Sequence, residues 1–214
     1  MKYVYRIVNA LLAAAVFPAA IFLEFILVRL STSIVEVGLE ETFTLRHILG
    51  FFFGDERILG FSYADLKSPG AFEFPKALDP VKGYLIATAV AFAIAIVAAL
   101  FIIIWSICSN KRIPVIVSSV LGIAAIAVMN YCFNTAAAPL IDGSINIVSL
   151  FSSGLIASLL GNYVFVDTLC FAGFQNGIII AFVAILLWTA AFYIVEIGDP
   201  EEEKTPKKAK KSKK

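Results

Sequence analysis

Long apolar runs, separated by more polar stretches, divide the chain and predict its secondary structure. At about 1.5 Å of rise per residue, roughly 20 helical residues cross a hydrocarbon core of about 30 Å, so each run is long enough to span a membrane. The predicted fold is an all-α integral membrane protein, a four-transmembrane-helix bundle with two extracytoplasmic loops that contain short interfacial helices. The predicted spans are approximately 7–29, 81–107, 114–133 and 175–197, and the outer loops are 30–79 and 134–173.

The polar turn between the two central runs sets the predicted orientation. It contains Lys111 and Arg112, and short loops rich in Lys and Arg stay in the cytoplasm. Lys2 and Arg6 fall on the same side, whereas the loop 134–173 contains no Lys or Arg. We therefore expect a multi-pass protein of the cytoplasmic (plasma) membrane, with both termini in the cytoplasm and both loops outside.

The first apolar run begins so near the N-terminus that a signal peptide has to be considered. It continues through Phe25 to Val28, far beyond a signal core of about 7 to 15 residues, and we predict an uncleaved first helix. Pro18 lies inside this helix and has no N–H to donate to the carbonyl of Ala14. A kink is therefore expected there.

Each outer loop contains apolar segments that need a place. In the first loop, aromatic segments begin at Ile48 and again at Ile58, and such segments favour the membrane interface. In the second loop, 145–166 is apolar enough to be a fifth span, but several Ser and Gly residues weaken that interpretation. An interfacial or a re-entrant helix is preferred, since a fifth crossing would place the lysine-rich tail outside.

Small residues recur along the second and third predicted helices. Alanines spaced four residues apart line one face of the second helix, and small residues line one side of the third. Because lipid tails are as apolar as leucine, such helices associate by close packing, and we expect these two faces to meet. The packing residues are Ala87, Ala91, Ala95, Ala99, Ser118 and Gly122.

Composition supports a membrane location and distinguishes a lysine-rich C-terminal tail from the apolar remainder of the chain. Of the 214 residues, 60% are hydrophobic and 15% charged, and the mean hydropathy is +0.91. Residues 1–198 are predicted to form the transmembrane domain, and 199–214 a disordered cytoplasmic tail that contacts anionic lipid of the inner leaflet. No specific nucleic acid partner is expected. The contacting lysines are Lys207, Lys208, Lys210, Lys211, Lys213 and Lys214.

The sequence contains no catalytic or cofactor-binding motif that we recognise. His47 is the only histidine, and Cys108, Cys132 and Cys170 have no metal-ligand spacing. We therefore expect no enzymatic activity, no cofactor and no metal site. Cys132 and Cys170 fall near the same outer surface, and whether they pair is left open.

Glu24 is the one carboxylate that the sequence places well inside a predicted span. Counting along the helices puts Asn130 at a similar height and Thr88 somewhat deeper, so the three form a candidate intramembrane polar cluster. Ionisable groups at such depths often mark a transport pathway. The alternative is that Glu24 snorkels to the outer surface or to Arg29.

Four spans with a large first outer loop invite comparison with claudin-like and tetraspanin-like proteins. The first outer loop has no Trp or Cys, and the second has one Cys and no Cys-Cys-Gly, so we assign neither family. The favoured function is a non-catalytic scaffold or subunit of a membrane complex that acts through its outer loops. The alternative is a small oligomeric transporter or channel, and the expected partners are the lipid bilayer, further copies of the chain or other membrane subunits.

Overall fold

The computed structural model describes residues 2–32, 39–53, 57–58, 61–62, 76–109, 111–145 and 163–198. The helices are α1 (Lys2–Ala14), α2 (Val16–Phe22), α3 (Leu45–Phe53), α4 (Lys82–Cys108), α5 (Ile113–Ile141) and α6 (Phe174–Gly198), with a 3-10 helix over Lys76–Val81. The strands are β1 (Glu24–Thr32), β2 (Leu39–Thr44), β3 (Arg57–Ile58), β4 (Phe61–Ser62) and β5 (Val164–Phe171).

Within the described residues, four helices are long and apolar enough to cross a membrane, as predicted. They are Tyr3–Phe22, which combines α1 and α2, Leu78–Cys108, Ile113–Ile141 and Phe174–Ile194. Their outward faces carry large apolar side chains, such as Val97 and Leu187. Such faces suit a hydrocarbon surrounding, where no polar partner is available.

The long helices pack around a common core. α4 lies along α5, α1 packs against α4 and α6, and α5 packs against α6. The N-terminal part of α1 lies beside the turn between α4 and α5, where the guanidinium of Arg112 lies over the ring of Tyr5. We call this the turn end of the molecule, and the opposite end, where β1 follows α2, the sheet end.

The first span is interrupted where Pro18 predicts a kink. α1 ends at Ala14 and α2 begins at Val16, with Ala15 between them. Since Pro18 has no N–H, the Ala14 carbonyl loses its partner one turn ahead. The disturbance thus falls a turn before the proline itself.

A small antiparallel sheet corrects the prediction of an all-α fold. Its strand order is β2-β1-β5, and a separate hairpin pairs β3 with β4. β1 begins at Glu24, inside the predicted first span of 7–29, so the helical part of that span ends at Phe22. The physical reason is that β1 has pairing partners on both edges, which satisfy its backbone as fully as a helix would.

The remaining loop predictions fare differently. α3 is a short helix within the first loop, and α5 continues to Ile141, past its predicted end at 133. Thr135 and Pro139 are accommodated in the last turns of α5, where the Thr135 hydroxyl donates to the Tyr131 carbonyl. Most of 145–166 and all of the tail 199–214 lie outside the described residues. The interfacial or re-entrant helix over 145–166 and the lipid contacts of the tail lysines therefore stay predictions.

Phenylalanine rings join the sheet to the helices. Phe25 stacks on Phe174 with centroids 4.2 Å apart, and Phe133 stacks on Phe171 at 4.1 Å. Phe92 of α4 meets Phe25 edge to face at 5.5 Å. Large aromatic pairs of this kind add stabilisation beyond the area they bury.

The connections at this junction are short. Only Leu23 separates α2 from β1, and only Ala172 and Gly173 separate β5 from α6. The Ala172 N–H donates to the Phe25 carbonyl at 3.0 Å, which ties the two connections together. The sheet is consequently anchored to the first and the last span at once.

Small residues have the packing role assigned to them, but with an additional partner. Ala91, Ala95 and Ala99 are buried in the core, while Ala87 is half-buried. Gly122 leaves no room for a side chain because the ring of Phe182, from α6, lies directly against it. Gly122 therefore receives a ring from α6, in addition to any contact of its helix with α4.

Candidate functional site: a groove between α5 and β5

A groove of about 480 Å³ lies at the sheet end, between the last turns of α5 and the strand β5. Small alanines on α5 leave space beneath the strand, and Ile141 and Leu169 add apolar surface. The lining residues are Asn134, Ala137, Ala138, Ile141, Asp142, Asp167, Thr168, Leu169 and Cys170. Its volume is within the range of about 300–1,000 Å³ typical of ligand pockets.

One carboxylate enters the groove through an irregularity in the sheet. In the pairing of β1 with β5, Arg29 faces Thr168 and Leu30 faces Val166, so Asp167 is an extra residue on β5. Such bulges bend a strand and redirect a side chain. The hydroxyl of Ser31 donates to Asp167 Oδ1 at 2.7 Å and holds the carboxylate in place.

A second carboxylate stands at the C-terminal end of α5. Asp142 Oδ1 accepts the backbone N–H of Ser144 at 2.8 Å, in a turn where Gly143 has φ = 77°, a conformation that favours glycine. Hydrogen bonds from the side chain and then the backbone of Ser144 lower the pKa of the Asp142 carboxyl below its usual value. These hydrogen bonds favour the ionised form of Asp142.

The groove thus combines two carboxylates, an amide, a thiol and an apolar floor. Among the described residues that line it there is no Lys, Arg or His, and the sequence from 134 to 173 contains none either. Within the described ranges, no group of three or more His, Cys, Asp or Glu side chains is arranged to hold a metal ion. This arrangement suits the binding of a positively charged group.

The three residues of the candidate intramembrane cluster lie on different elements. Glu24 is exposed at the start of β1, where Thr42 Oγ1 donates to Glu24 Oε1 at 3.4 Å. Thr88 Oγ1 donates to the Tyr84 carbonyl within its own helix at 2.8 Å, and Asn130 is half-buried. In the part of the chain that is described, no hydrogen bond joins any two of the three.

A group of buried polar side chains near the turn end, here called the polar layer, was not predicted as a site, and of its members only Ser118 was expected to be a packing residue. Each of the four long helices contributes to it, and the Asn9 amide makes no hydrogen bond within the described chain. The members are Asn9, Ser106, Ser118, Ser119 and Thr189. The available sequence signal was a polar residue inside an apolar run. This signal is weaker than that of a charged residue, because an uncharged polar side chain is less costly to place in a membrane span.

The surroundings of this polar layer are cationic and aromatic. Arg6 Nε donates to the carbonyl of Ser106 at 2.7 Å, and the Tyr5 hydroxyl lies 3.4 Å from Thr189 Oγ1. The guanidinium of Arg112 lies 5.6 Å from the centroid of the Tyr5 ring, close enough for a cation–π contact. These contacts join α1 to α4, to α6 and to the turn that precedes α5.

The remaining candidates have structural positions. His47 lies in the first turn of α3, within the predicted first outer loop, and its Nδ1 lies 3.0 Å from Thr44 Oγ1. All three cysteines are free: Cys108 is exposed, Cys132 is buried and Cys170 lines the groove. Cys132 and Cys170 are therefore not joined in this structure.

Comparison with known proteins adds no further constraint. No protein-family model, curated protein or solved structure matches the chain.

Proposed function

We propose that the chain is a non-catalytic scaffold, or a subunit of a larger membrane complex, that acts through the sheet end. The observation that carries this proposal is that the sheet is anchored to two helices. Leu23 alone connects β1 to α2, and Ala172 and Gly173 connect β5 to α6. A surface held in this way keeps a fixed orientation relative to the membrane. Binding residues are commonly found on connecting segments that a rigid support positions.

The proposed orientation places the sheet end outside the cytoplasmic membrane. Lys2, Arg6, Lys111 and Arg112 all belong to the turn end, and short segments rich in Lys and Arg stay in the cytoplasm. The outer surface would then be formed by the sheet, the groove and the described parts of the first loop.

Polar side chains on the sheet support an interaction surface rather than a lipid-covered one. Arg29 Nε donates to Glu40 Oε2 at 3.0 Å, and both side chains are about half exposed. Exposed ion pairs of this kind contribute little to stability, at most about 1 kcal/mol. They leave the sheet polar and available to a partner in water.

A transport function is the alternative, and the buried polar layer is the observation in its favour. Against it, the ring of Phe182 packs directly on Gly122 between α5 and α6, and Phe25 stacks on Phe174 at the sheet end. A path through one copy of the chain would have to displace these rings. We therefore keep the scaffold as the proposal and use transport as the outcome that contradicts it.

Photo-crosslinking in intact membranes tests the proposal. A photoreactive residue at Phe165, which is 46% exposed on β5, should give a discrete protein adduct identifiable by mass spectrometry. The matched position is Val97, which is 60% exposed on α4 and should react with lipid. The same protein adduct from both positions, or none from Phe165, would count against a partner at the sheet end.

A flux assay tests the alternative directly. The purified chain in liposomes should conduct neither ions nor small solutes, and Glu24→Gln should fold and assemble as the unmodified chain does. Substantial flux that Glu24→Gln abolishes would replace the scaffold by a transporter with Glu24 in its pathway.

A further inference from the structure

Over its described lining, the groove between α5 and β5 is negatively charged. Asp142 and Asp167 both line it, and no described lining residue is cationic. The nearest cation along the paired strands is Arg29, which faces Thr168 in the register, and its guanidinium is paired with Glu40. The sequence from 134 to 173 contains no Lys or Arg.

Both carboxylates lie at positions where the regular secondary structure does not require a charge. Asp142 follows the last turn of α5, and a negative charge at the C-terminal end of a helix interacts unfavourably with the helix dipole. Asp167 is the extra residue of a bulge, which the sheet could omit without losing a pair. Ser144 and Ser31 nevertheless hold the two carboxylates in defined positions.

The floor between the carboxylates is apolar. Ala137, Ala138, Ile141 and Leu169 supply it, and the volume of about 480 Å³ suits a small molecule. An inorganic cation would make no use of such a floor, whereas an aliphatic chain would bury apolar surface on it. A ligand that joins a cationic group to an aliphatic chain matches both parts of the groove.

We propose that this groove binds a small aliphatic amine, with its ammonium group at Asp142 or Asp167 and its methylene chain on the floor formed by α5 and Leu169. A diamine with an ammonium group at each end would use both carboxylates. The proposal concerns a ligand site and does not depend on the scaffold function, since the groove exists in the isolated chain.

Cys170 supplies a reporter inside the groove. In a full-length Cys108→Ser, Cys132→Ala variant, Cys170 is the only thiol, and its reaction with methanethiosulfonates can be timed by mass spectrometry. The measured quantity is the ratio of the reaction rate with the trimethylammonium reagent to that with the sulfonate reagent. At low salt, we expect this ratio to be about threefold to fivefold higher for Cys170 than for free cysteine. Asp142→Asn and Asp167→Asn should each lower this preference, because each removes one negative charge from the groove.

Glu41→Gln is the matched control. It removes one carboxylate from the same sheet, on β2, without touching the groove. The preference of Cys170 for the cationic reagent should remain in this variant. A preference equal to that of free cysteine, or one that Glu41→Gln lowers as much as Asp142→Asn does, overturns the proposal.

Protection of Cys170 tests binding itself. With neutral N-ethylmaleimide as the reagent, millimolar 1,6-diaminohexane should slow the alkylation of Cys170 at least threefold, and 1,6-hexanediol should not. The protection should disappear in Asp142→Asn/Asp167→Asn. If that variant does not fold, the comparison of diamine with diol in the parent variant decides alone.

Two results would contradict an amine ligand. Equal protection by the diol would show that only the apolar floor matters, and absence of protection by the diamine would show that the carboxylates hold no ammonium group. Protection by a lysine-containing peptide but not by the diamine would assign the groove to a partner's side chain and overturn the small-molecule proposal.

Discussion

The ring of Phe174, the first residue of α6, stacks on the ring of Phe25, the second residue of β1, with centroids 4.2 Å apart and planes inclined by 25°. Phe174 is completely buried, and it also meets Phe171 and Phe92 edge to face. The contact joins the first strand to the last long helix, which are far apart in the chain. The sheet and the helices should therefore unfold together.

The first prediction concerns this junction. Phe174→Ala should lower the free energy of unfolding by about 3–5 kcal/mol, because it removes a buried ring and leaves a cavity. Phe165→Ala, on the exposed side of β5, should cost less than about 1 kcal/mol. Denaturant unfolding of the purified protein in detergent measures both, and equal losses would show that the junction is not a stabilising centre.

The second prediction concerns the contact between α5 and α6. Gly122→Ala places a methyl group against the ring of Phe182 and should destabilise the protein by about 1–3 kcal/mol. Gly83→Ala is the control, since open space surrounds Gly83 and alanine favours a helix by up to about 1 kcal/mol. Adding Phe182→Leu should recover part of the loss, so that the double variant is more stable than the sum of the single effects. Strict additivity would contradict the contact.

The third prediction concerns Asn9. Its amide is buried without a hydrogen-bond partner among the described residues, so Asn9→Leu should leave stability unchanged or raise it by about 1–3 kcal/mol. Asn176→Leu, at an exposed position in the first turn of α6, controls for a general gain in hydrophobicity. Thermal unfolding in the same detergent compares the two. A loss of more than about 1 kcal/mol for Asn9→Leu would mean that the amide is satisfied in the membrane.

The fourth prediction concerns the acid range. Hydrogen bonds from Ser144 lower the pKa of Asp142 in the folded chain, so they stabilise the fold above the unfolded pKa of about 3.9. This stabilisation is lost as the pH falls through the lowered pKa of the folded state. Ser144→Ala should raise the Asp142 pKa towards its usual value, measured by carboxyl carbon NMR. An unchanged pKa would leave the backbone N–H of Ser144 as the sole cause.

The spans were predictable because length and hydropathy are local properties. A run such as 81–107 is apolar throughout, and no tertiary contact is required to decide that it can cross a membrane. The kink could be placed for the same reason, since Pro18 acts on the carbonyl of Ala14 one turn before it.

The first span shows where local reasoning stops. The run continues past Phe22 with residues that suit either a helix or a strand, and Glu24 was consequently placed inside a helix. Pairing of β1 with β2 and β5 decided for the strand, and β5 comes from the far end of the chain. A short apolar run does not contain that information.

The groove depends even more on long-range structure. Asp142 and Asp167 both fall within 134–173, but nothing in their spacing indicates a shared cavity. Asp142 reaches it because α5 continues to Ile141, and Asp167 because a bulge in the pairing of β5 with β1 makes it an extra residue. Neither feature is visible before the strands are paired.

By itself, the sequence determined the four apolar helices, the break near Pro18 and the lack of positive charge in 134–173, since each depends on a residue and its near neighbours. The tertiary structure alone decided the sheet, the packing of Phe182 against Gly122 and the presence of two carboxylates in one groove with an apolar floor. The physical reason is that these features depend on backbone hydrogen bonds and side-chain packing between segments that are distant in sequence. Which segments meet is determined only when the chain folds.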